Sequence, residues 1–380
     1  MIKKNFKDWT FYIYVALMLS ISIYSYKKAE YNWDVLPYMA VILQYDGNTD
    51  IEKIHGEVYT IAKQSFSEKD FDRLVDSTSA YRKSVFTDPA EFSQQLPFYV
   101  VKPLYTGLCY IFYTYGVSLP KATVLPSVIA FFLISLLVYF WIRKYFAQIS
   151  GFTFSTLLML MPFMLEAVKL STPDLLSALA LISGIYSYIE IKNHNLSALF
   201  LLLSIFIRLD NVIPVAIITV AIFFIDIRKG SVTIWKYILF TVAVMASYLL
   251  VSWQAHKFGW SIFYYTDFAT HLNTAYDIHK PFSISGYIDL VKSQAMTGLY
   301  YSALMFYFFL GYILLYYQRK NDAKSNSVEN LFVIAFLATI MIRFISQPVV
   351  ADRFYLAYYL IISIFILKKL PGFYRYVTIR

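Results

Sequence analysis

Apolar residues gather into about ten runs, at roughly 9–26, 122–142, 147–167, 175–191, 196–209, 211–226, 233–255, 299–317, 328–346 and 354–369, with polar stretches between them. Runs of this kind read as helices that cross a membrane. The two around 200–226 are individually short and share one apolar stretch, which breaks at Arg208-Leu209-Asp210-Asn211 and Pro214. A double crossing places the cationic ends Lys192 and Arg228-Lys229 on one side, whereas a single tilted helix inverts every later loop. The short connections favour the double crossing. Lys3/Lys4/Lys7, Arg143-Lys144, Lys192, Arg228-Lys229, Arg319-Lys320-Lys324 and Lys368-Lys369-Arg375-Arg380 then share one face, and positive loops stay cytoplasmic. Both termini are expected on that face. The opposite face receives 27–121, a short turn at 166–174, a second long loop at 256–298, and 346–353. These four segments should converge on one external site.

The long polar segment 27–121 carries half of the 24 acidic residues. Within it, 67–86 places Phe71, Leu74, Val75 and Thr78 at helical spacing among charged residues, the pattern of an amphipathic surface helix. The apolar stretch 96–117 is expected to lie flat on the outer interface, because a crossing there would put Arg143-Lys144 outside. The expected architecture is a single all-α, polytopic integral membrane domain over 1–380, with a large first external loop containing interfacial helices. No internal repeat stands out.

Composition agrees with this reading. The 380 residues are 59% hydrophobic, 19% aromatic and only 15% charged, a balance that excludes a soluble fold. The net charge of +9 could suggest nucleic acid, but the cations sit in short connections where they set topology, so no nucleic-acid partner is expected. Cys109 is the one cysteine, which excludes an intramolecular disulfide framework and a multi-thiolate metal site. Lys3, Lys4 and Lys7 precede the first run without a small-residue cleavage site after it, so the run reads as a retained anchor. An aromatic-rich, nearly cysteine-free chain points to a bacterial inner membrane.

Motifs for nucleotide, zinc-protease or nucleophile-elbow chemistry are absent. His55, His194, His256, His271 and His279 lack metal-ligand spacing, so the sequence supports no cofactor and leaves a divalent metal open without naming ligands for it. Asp34, one step beyond the first run and just before Val35–Tyr45, reads as a helix cap or as a general base, and the roles are compatible. Asp174, in Ser171-Thr172-Pro173-Asp174, reads first as a helix-start residue, and second as a carboxylate that orients a sugar hydroxyl or amine. Arg208 and Asp210 lie within an apolar stretch, where ionisable groups are costly unless paired or facing a polar cavity. Arg343 has no partner evident from its neighbours, while Asp352 adjoins Arg353 and could neutralise it. With Lys102, these arginines suit an anionic head group, since guanidinium binds phosphate through paired hydrogen bonds.

The order of these elements resembles the GT-C superfamily of integral membrane glycosyltransferases, in the bacterial branch related to aminoarabinose transferases and protein O-mannosyltransferases. The residues that carry the resemblance are Trp33-Asp34 followed by Pro37-Tyr38, Lys102-Pro103-Leu104-Tyr105, Thr172-Pro173-Asp174 after the basic turn Arg143-Lys144, and Arg353-Phe354-Tyr355. It covers most of the first 230 residues and 343–359. The chain departs from it at Val101, where some relatives carry an acid, and in having no large C-terminal soluble domain. The resemblance implies a GT-C-like fold and transfer of a sugar from a polyprenyl-phosphate donor to a glycan, lipid or protein acceptor outside the membrane. It also implies Asp34 as the base, Asp174 as an orienting carboxylate, and Lys102, Arg208, Arg343 and Arg353 as holders of the donor phosphate. Trp33, Tyr38, Tyr105 and Asp210 would contact sugar or acceptor. A transporter or flippase of a lipid-linked sugar needs similar buried charges, and an O-antigen polymerase or ligase also has many spans and a large external loop.

Overall fold

The structure, a computed structural model, describes residues 8–76, 79–254, 282–321 and 328–369. The first polar segment follows α1 (Trp9–Lys27) with α2 (Val35–Tyr45), α3 (Ile51–Ser65), α4 (Glu68–Val75), α5 (Ala80–Thr87), α6 (Pro89–Ser93), α7 (Pro97–Val100) and α8 (Pro103–Thr114). The bundle continues with α9 (Leu119–Arg143), α10 (Gln148–Met159), α11 (Pro162–Ala167), α12 (Asp174–Tyr186), α13 (His194–Ile207), α14 (Val212–Arg228) and α15 (Ile234–Gln254). Beyond residues 255–281 come α16 (Ile284–Tyr301), α17 (Leu304–Asn321), α18 (Val328–Ser346) and α19 (Leu356–Leu367). Among the described residues, six helices are long and apolar enough to cross a membrane, or up to seven spans if the bent pair α16–α17 forms one, which is the make-up of a helical membrane protein.

Local sequence sets many of the helix starts. Asp50, Ser67, Ser79, Asp88 and Asn193 each accept a hydrogen bond from a free amide in the first turn of the helix they precede. The helices α6, α7, α8, α9 and α11 begin with proline in the first two positions, where its missing N–H costs nothing. A one-turn π segment, Ser187–Ile191, ends α12, and Lys192 closes it in the left-handed region at φ 58°.

Two ends of the bundle are each locked by polar contacts. At one, Asp8 at the start of α1 takes Arg143 from the end of α9 at 2.9 Å and Gln148 from the start of α10 at 2.7 Å. Nearby, Glu190 accepts from Trp141, Lys144 and Tyr145, and Lys368 at the end of α19 pairs with Glu329 at the start of α18. At the other, the chain leaving α1 is pinned to the turn before α12: the Glu30 amide donates to the Lys169 carbonyl at 3.0 Å and Lys169 Nζ pairs with Glu30 at 2.9 Å. Lys121 Nζ donates there to the Tyr26 carbonyl. Among the long apolar helices α9 and α12 are the most deeply buried and α15, at the periphery, the least; the shorter α2 and α19 are buried along almost their whole length.

The stretch at 194–228 doubles back. Asp226, near the end of α14, lies 3.4 Å from the His194 ring at the start of α13 and accepts from Tyr188 at 2.8 Å. A continuous helix would hold residues 194 and 226 about 48 Å apart. The turn is the Arg208–Asn211 break, where Arg208 is extended and Leu209–Asn211 form a single 3-10 turn. Asn211 holds it by donating to Ser177 Oγ at 2.7 Å and to the Ser204 carbonyl at 2.8 Å.

Several expected boundaries move. The run 147–167 is two helices, because the chain turns at Leu160 and Met161 before the helix-starting Pro162. The amphipathic stretch 67–86 is divided into α4 and α5; Phe71, Leu74 and Val75 lie on α4, while Thr78 is outside the described residues. The stretch 96–117 forms the one-turn α7 and the twelve-residue α8, about 18 Å long and shorter than a membrane's hydrocarbon layer. The run 299–317 straddles a sharp elbow, since α16 ends at Tyr301 and α17 begins at Leu304. The 256–298 segment therefore contains most of a helix in its second half, and its first half falls outside the described residues.

Candidate functional site

Seven charged side chains from six parts of the chain meet at the end of the bundle opposite Asp8. Asp34 arrives from the start of α2, Lys102 from the residue before α8, and Asp174 from the first position of α12. Arg208 and Asp210 come from the break after α13, Arg343 from the last turn of α18, and Arg353 from the 3-10 turn Asp352–Tyr355.

Asp210 is the inner anchor. Arg208 grips both of its oxygens, Nε to Oδ1 at 3.0 Å and Nη2 to Oδ2 at 2.9 Å, and Arg343 Nη2 also donates to Oδ2. The Arg208 Nη1 reaches Asp174 Oδ1. Arg353 joins the outer members: its Nε lies 3.4 Å from Asp174 Oδ2 and its Nη2 donates to Asp34 Oδ2 at 3.2 Å. Asp34 also accepts from Tyr99 at 3.0 Å and Asn32 at 2.7 Å. The Phe354 ring lies against three guanidinium groups, those of Arg208 at 4.6 Å and of Arg343 and Arg353 at 5.3 Å. An aromatic face attracts cations without neutralising them, so it gathers the three arginines while leaving their charge available.

Lys102 differs from the arginines. Its ammonium lies over the rings of Tyr99 at 4.6 Å and Tyr38 at 5.1 Å, and it has no carboxylate partner among the described residues. Among the described residues, four cations of the cluster thus face three carboxylates, an excess of one positive charge. Burial pushes Lys102 down to about 8, although the Asp34 carboxylate opposes this. Burial by itself would raise Asp34, but the charges of Arg353 and Lys102 and the hydrogen bonds from Tyr99 and Asn32 hold it below the ordinary carboxylate range.

The cluster is closed on itself. A cavity of about 10 Å³, room for one water molecule, lies between Asp174, Ser177, Arg208, Arg343, Arg353 and Phe354. Two buried polar atoms in its wall, Asp174 Oδ2 and Arg343 Nε, have no hydrogen-bond partner among the described residues. The side chains of Arg353 and Asp34, 26% and 24% exposed, are the more open members, whereas those of Asp174 and Arg343 are 1% and 4% exposed. Arg353 is thus the most open of the three arginines. Among the described residues, no group of three His, Cys, Asp or Glu side chains is disposed to hold a metal ion.

The sequence-predicted residues sort unevenly around this centre. Asp34, Asp174, Lys102, Arg208, Asp210, Arg343 and Arg353 meet in it. Tyr38 and Tyr105 are buried behind it: Tyr38 supports Lys102, while Tyr105 packs edge-on to Tyr38 and donates to the Thr123 carbonyl at 2.6 Å. Trp33 points elsewhere, donating to Gln95 at 3.1 Å with Arg82 over its ring. Asp34 makes no side-chain cap bond, and Asp174, the first residue of α12, accepts from Arg208 and from no backbone amide among the described residues, so the capping reading gives way to ion pairing. Asp352 does not neutralise Arg353; it accepts from Ser302, the Ala303 amide and Tyr359. The histidines at 256, 271 and 279 lie outside the described residues, His194 contacts Asp226 at the far end, and His55 contacts the Val85 carbonyl.

Three participants went unread in the sequence: Tyr99, Asn32 and Phe354. Tyr99 and Asn32 precede Lys102 and Asp34 by three and two residues, and Phe354 sits in the quoted Arg353-Phe354-Tyr355. Proximity to a singled-out ion was the available signal. Compared with protein-family models, with curated proteins and with solved structures, the chain matches none.

Proposed function

We propose that this protein is a GT-C-type glycosyltransferase of about ten membrane crossings that takes a sugar from a polyprenyl-phosphate donor. The acceptor is a hydroxyl or amine on a glycan, glycolipid or protein. In this reading it lies in a bacterial inner membrane with both termini cytoplasmic and the ion cluster at the external face. The observation that carries the reading is a carboxylate, Asp34, paired with Arg353 at the partly open side of a cluster that, among the described residues, holds one more cation than carboxylate. Group transfer from a lipid phosphate needs these two elements side by side.

The donor phosphate enters at Arg353 and Lys102, with Arg208 and Arg343 behind them. Turning Arg353 onto the phosphate weakens its hold on Asp34 and makes that carboxylate a better proton acceptor. Asp34 takes the acceptor proton as the acceptor atom bonds to the sugar's anomeric carbon. The bond from that carbon to the phosphate oxygen breaks with its electron pair, and the cations stabilise the polyprenyl phosphate that leaves. Displacement from the opposite face inverts the anomeric centre. Asp174, held by Arg208 and Arg353, positions this pair and orients the acceptor or sugar.

One observation favours a second reading, a flippase for a lipid-linked sugar. The α13–α14 hairpin breaks at the charged residues of the cluster, as the discontinuous helices of transporters do at their binding sites. A transfer assay separates the two. Membranes containing the Asp34→Asn protein, given a labelled polyprenyl-phosphate sugar, should transfer sugar about 10²–10⁴-fold more slowly than wild type at equal expression. Undiminished transfer rejects Asp34 as the base, and labelled donor moving across wild-type membranes without transfer selects the flippase.

A further inference from the structure

Helix α16 takes no part in the ion cluster and stands at 82° to α17 across Ser302 and Ala303. The elbow is fixed. Asp352 accepts from the Ser302 hydroxyl and from the Ala303 amide at 3.0 Å, satisfying free donors at the start of α17. From there α17 runs beside α19, with Tyr307 stacked on Tyr359 at 4.2 Å and bonded to Ser363 at 3.1 Å. A helix nearly perpendicular to one that lies along the membrane normal is parallel to the membrane plane.

The faces of α16 fit that position. At about 100° per residue, Tyr287, Val291, Ala295 and Gly298 share one side. This side meets the 345–350 segment: Tyr287 donates to the Ile345 carbonyl, and Gly298 is buried against Val350. The adjoining side carries Ile284, Ile288 and Leu299, all exposed apolar residues. Asp289, Ser293 and Thr297 lie away from that apolar side. At the elbow Tyr300 and Tyr301 are strongly exposed, in the place where interfacial aromatics gather, and the exposed Phe306 and Phe309 of α17 continue the apolar surface.

We propose that α16 is an in-plane helix seated on the lipid leaflet at the cluster end of the bundle. Ile284, Ile288 and Leu299 enter the acyl boundary, while Asp289, Ser293 and Thr297 face water. Asp352, the residue before Arg353, is bonded to both residues of the elbow, so this seat sets the depth of Arg353 relative to the lipid head groups.

The test uses the full-length protein in phosphatidylcholine–phosphatidylglycerol nanodiscs, in a Cys109→Ala background that removes the one native cysteine. Spin labels are placed singly through Ile284→Cys, Ile288→Cys, Ser293→Cys and Leu299→Cys, and exposure to oxygen is compared with exposure to a water-soluble nickel chelate. Labels at 284, 288 and 299 should report one shallow depth, agreeing within about 5 Å, with 293 in water. A steady change of depth from 284 to 299, approaching the roughly 22 Å that separates them along a helix, would reveal a spanning or re-entrant segment and overturn the proposal. So would nickel access at all four sites, or labels at 284 and 288 shielded from both reagents by a second copy of the chain. The readout involves no sugar transfer, so its failure leaves the transferase reading untouched, and the reverse also holds.

Discussion

Raising the pH from 7 to 9 should weaken capture of a phosphate-bearing ligand through one side chain, Lys102. Its ammonium is held by the faces of Tyr99 and Tyr38 and lacks a carboxylate partner among the described residues. Burial lowers its pKa; Asp34 opposes, Arg208 adds to the lowering, Asp210 opposes and Arg353 adds again, leaving it at about 8. With that value the charged fraction falls from about 0.9 at pH 7 to about 0.1 at pH 9, so binding that needs the ammonium weakens about tenfold, close to 1.4 kcal/mol. Asp34, held below the usual carboxylate range, stays ionised throughout this window and adds no second inflection. The measurement is kcat/KM for a polyprenyl-phosphate sugar from pH 6 to 10, which reports the free protein. Wild type should bend near pH 8, and Lys102→Arg, whose guanidinium stays charged, should not. A flat wild-type profile, or a bend that persists in Lys102→Arg, refutes the reasoning. Stability moves in the opposite direction. A lysine with a depressed folded pKa loses its proton in the folded state first, so its contribution to stability improves as pH rises from about 8 towards the ordinary lysine value. Loss of capture at pH 9 is thereby distinguished from unfolding.

Two further outcomes follow from the packing. In a Cys109→Ala background, His194→Cys with Asp226→Cys should be bridged by a short bifunctional thiol reagent, because the two native side chains meet at 3.4 Å whereas a continuous helix holds them about 48 Å apart; absence of bridging would restore the single tilted helix. Asp174→Asn should destabilise the protein by about 1–3 kcal/mol, since it strips one buried partner from Arg208, which keeps Asp210, and combining it with Arg208→Met should recover part of that loss. The readout is heat-induced labelling of the buried Cys109 thiol by a maleimide dye, and a wild-type labelling curve for Asp174→Asn would contradict the account.

The candidate site was largely legible because ionisable residues in or beside apolar runs have few ways to exist. Arg208, Asp210 and Arg343 had to find partners, and Asp34, Lys102, Asp174 and Arg353 were expected at one face by the distribution of loop charge. What could not be read was who pairs with whom. Asp352 is next to Arg353 in the chain yet serves the elbow before α17, while Arg353 reaches Asp34, 319 residues away in sequence. Asp34 and Asp174 occupy helix-start positions typical of caps, but nearby guanidinium groups compete more strongly for a buried carboxylate than backbone amides do. The aromatics Trp33, Tyr38 and Tyr105 were equally open to contact and support roles; burial decided for support in the two tyrosines.

By itself the sequence determined that this is a helical membrane chain, that its polarity changes at 27–121, and that the 194–228 stretch is broken at its charged centre. These follow from local composition, since transfer of apolar residues and positive charge across a membrane depends on little beyond the segment itself. Tertiary structure alone decided that Phe354 gathers three arginines, that Lys102 rests on two tyrosine rings with no carboxylate in direct contact among the described residues, and that the chain bends by 82° before α17. Those outcomes depend on contacts between residues far apart in the chain. An ion pair or a helix elbow takes whichever partner the surrounding packing brings within reach.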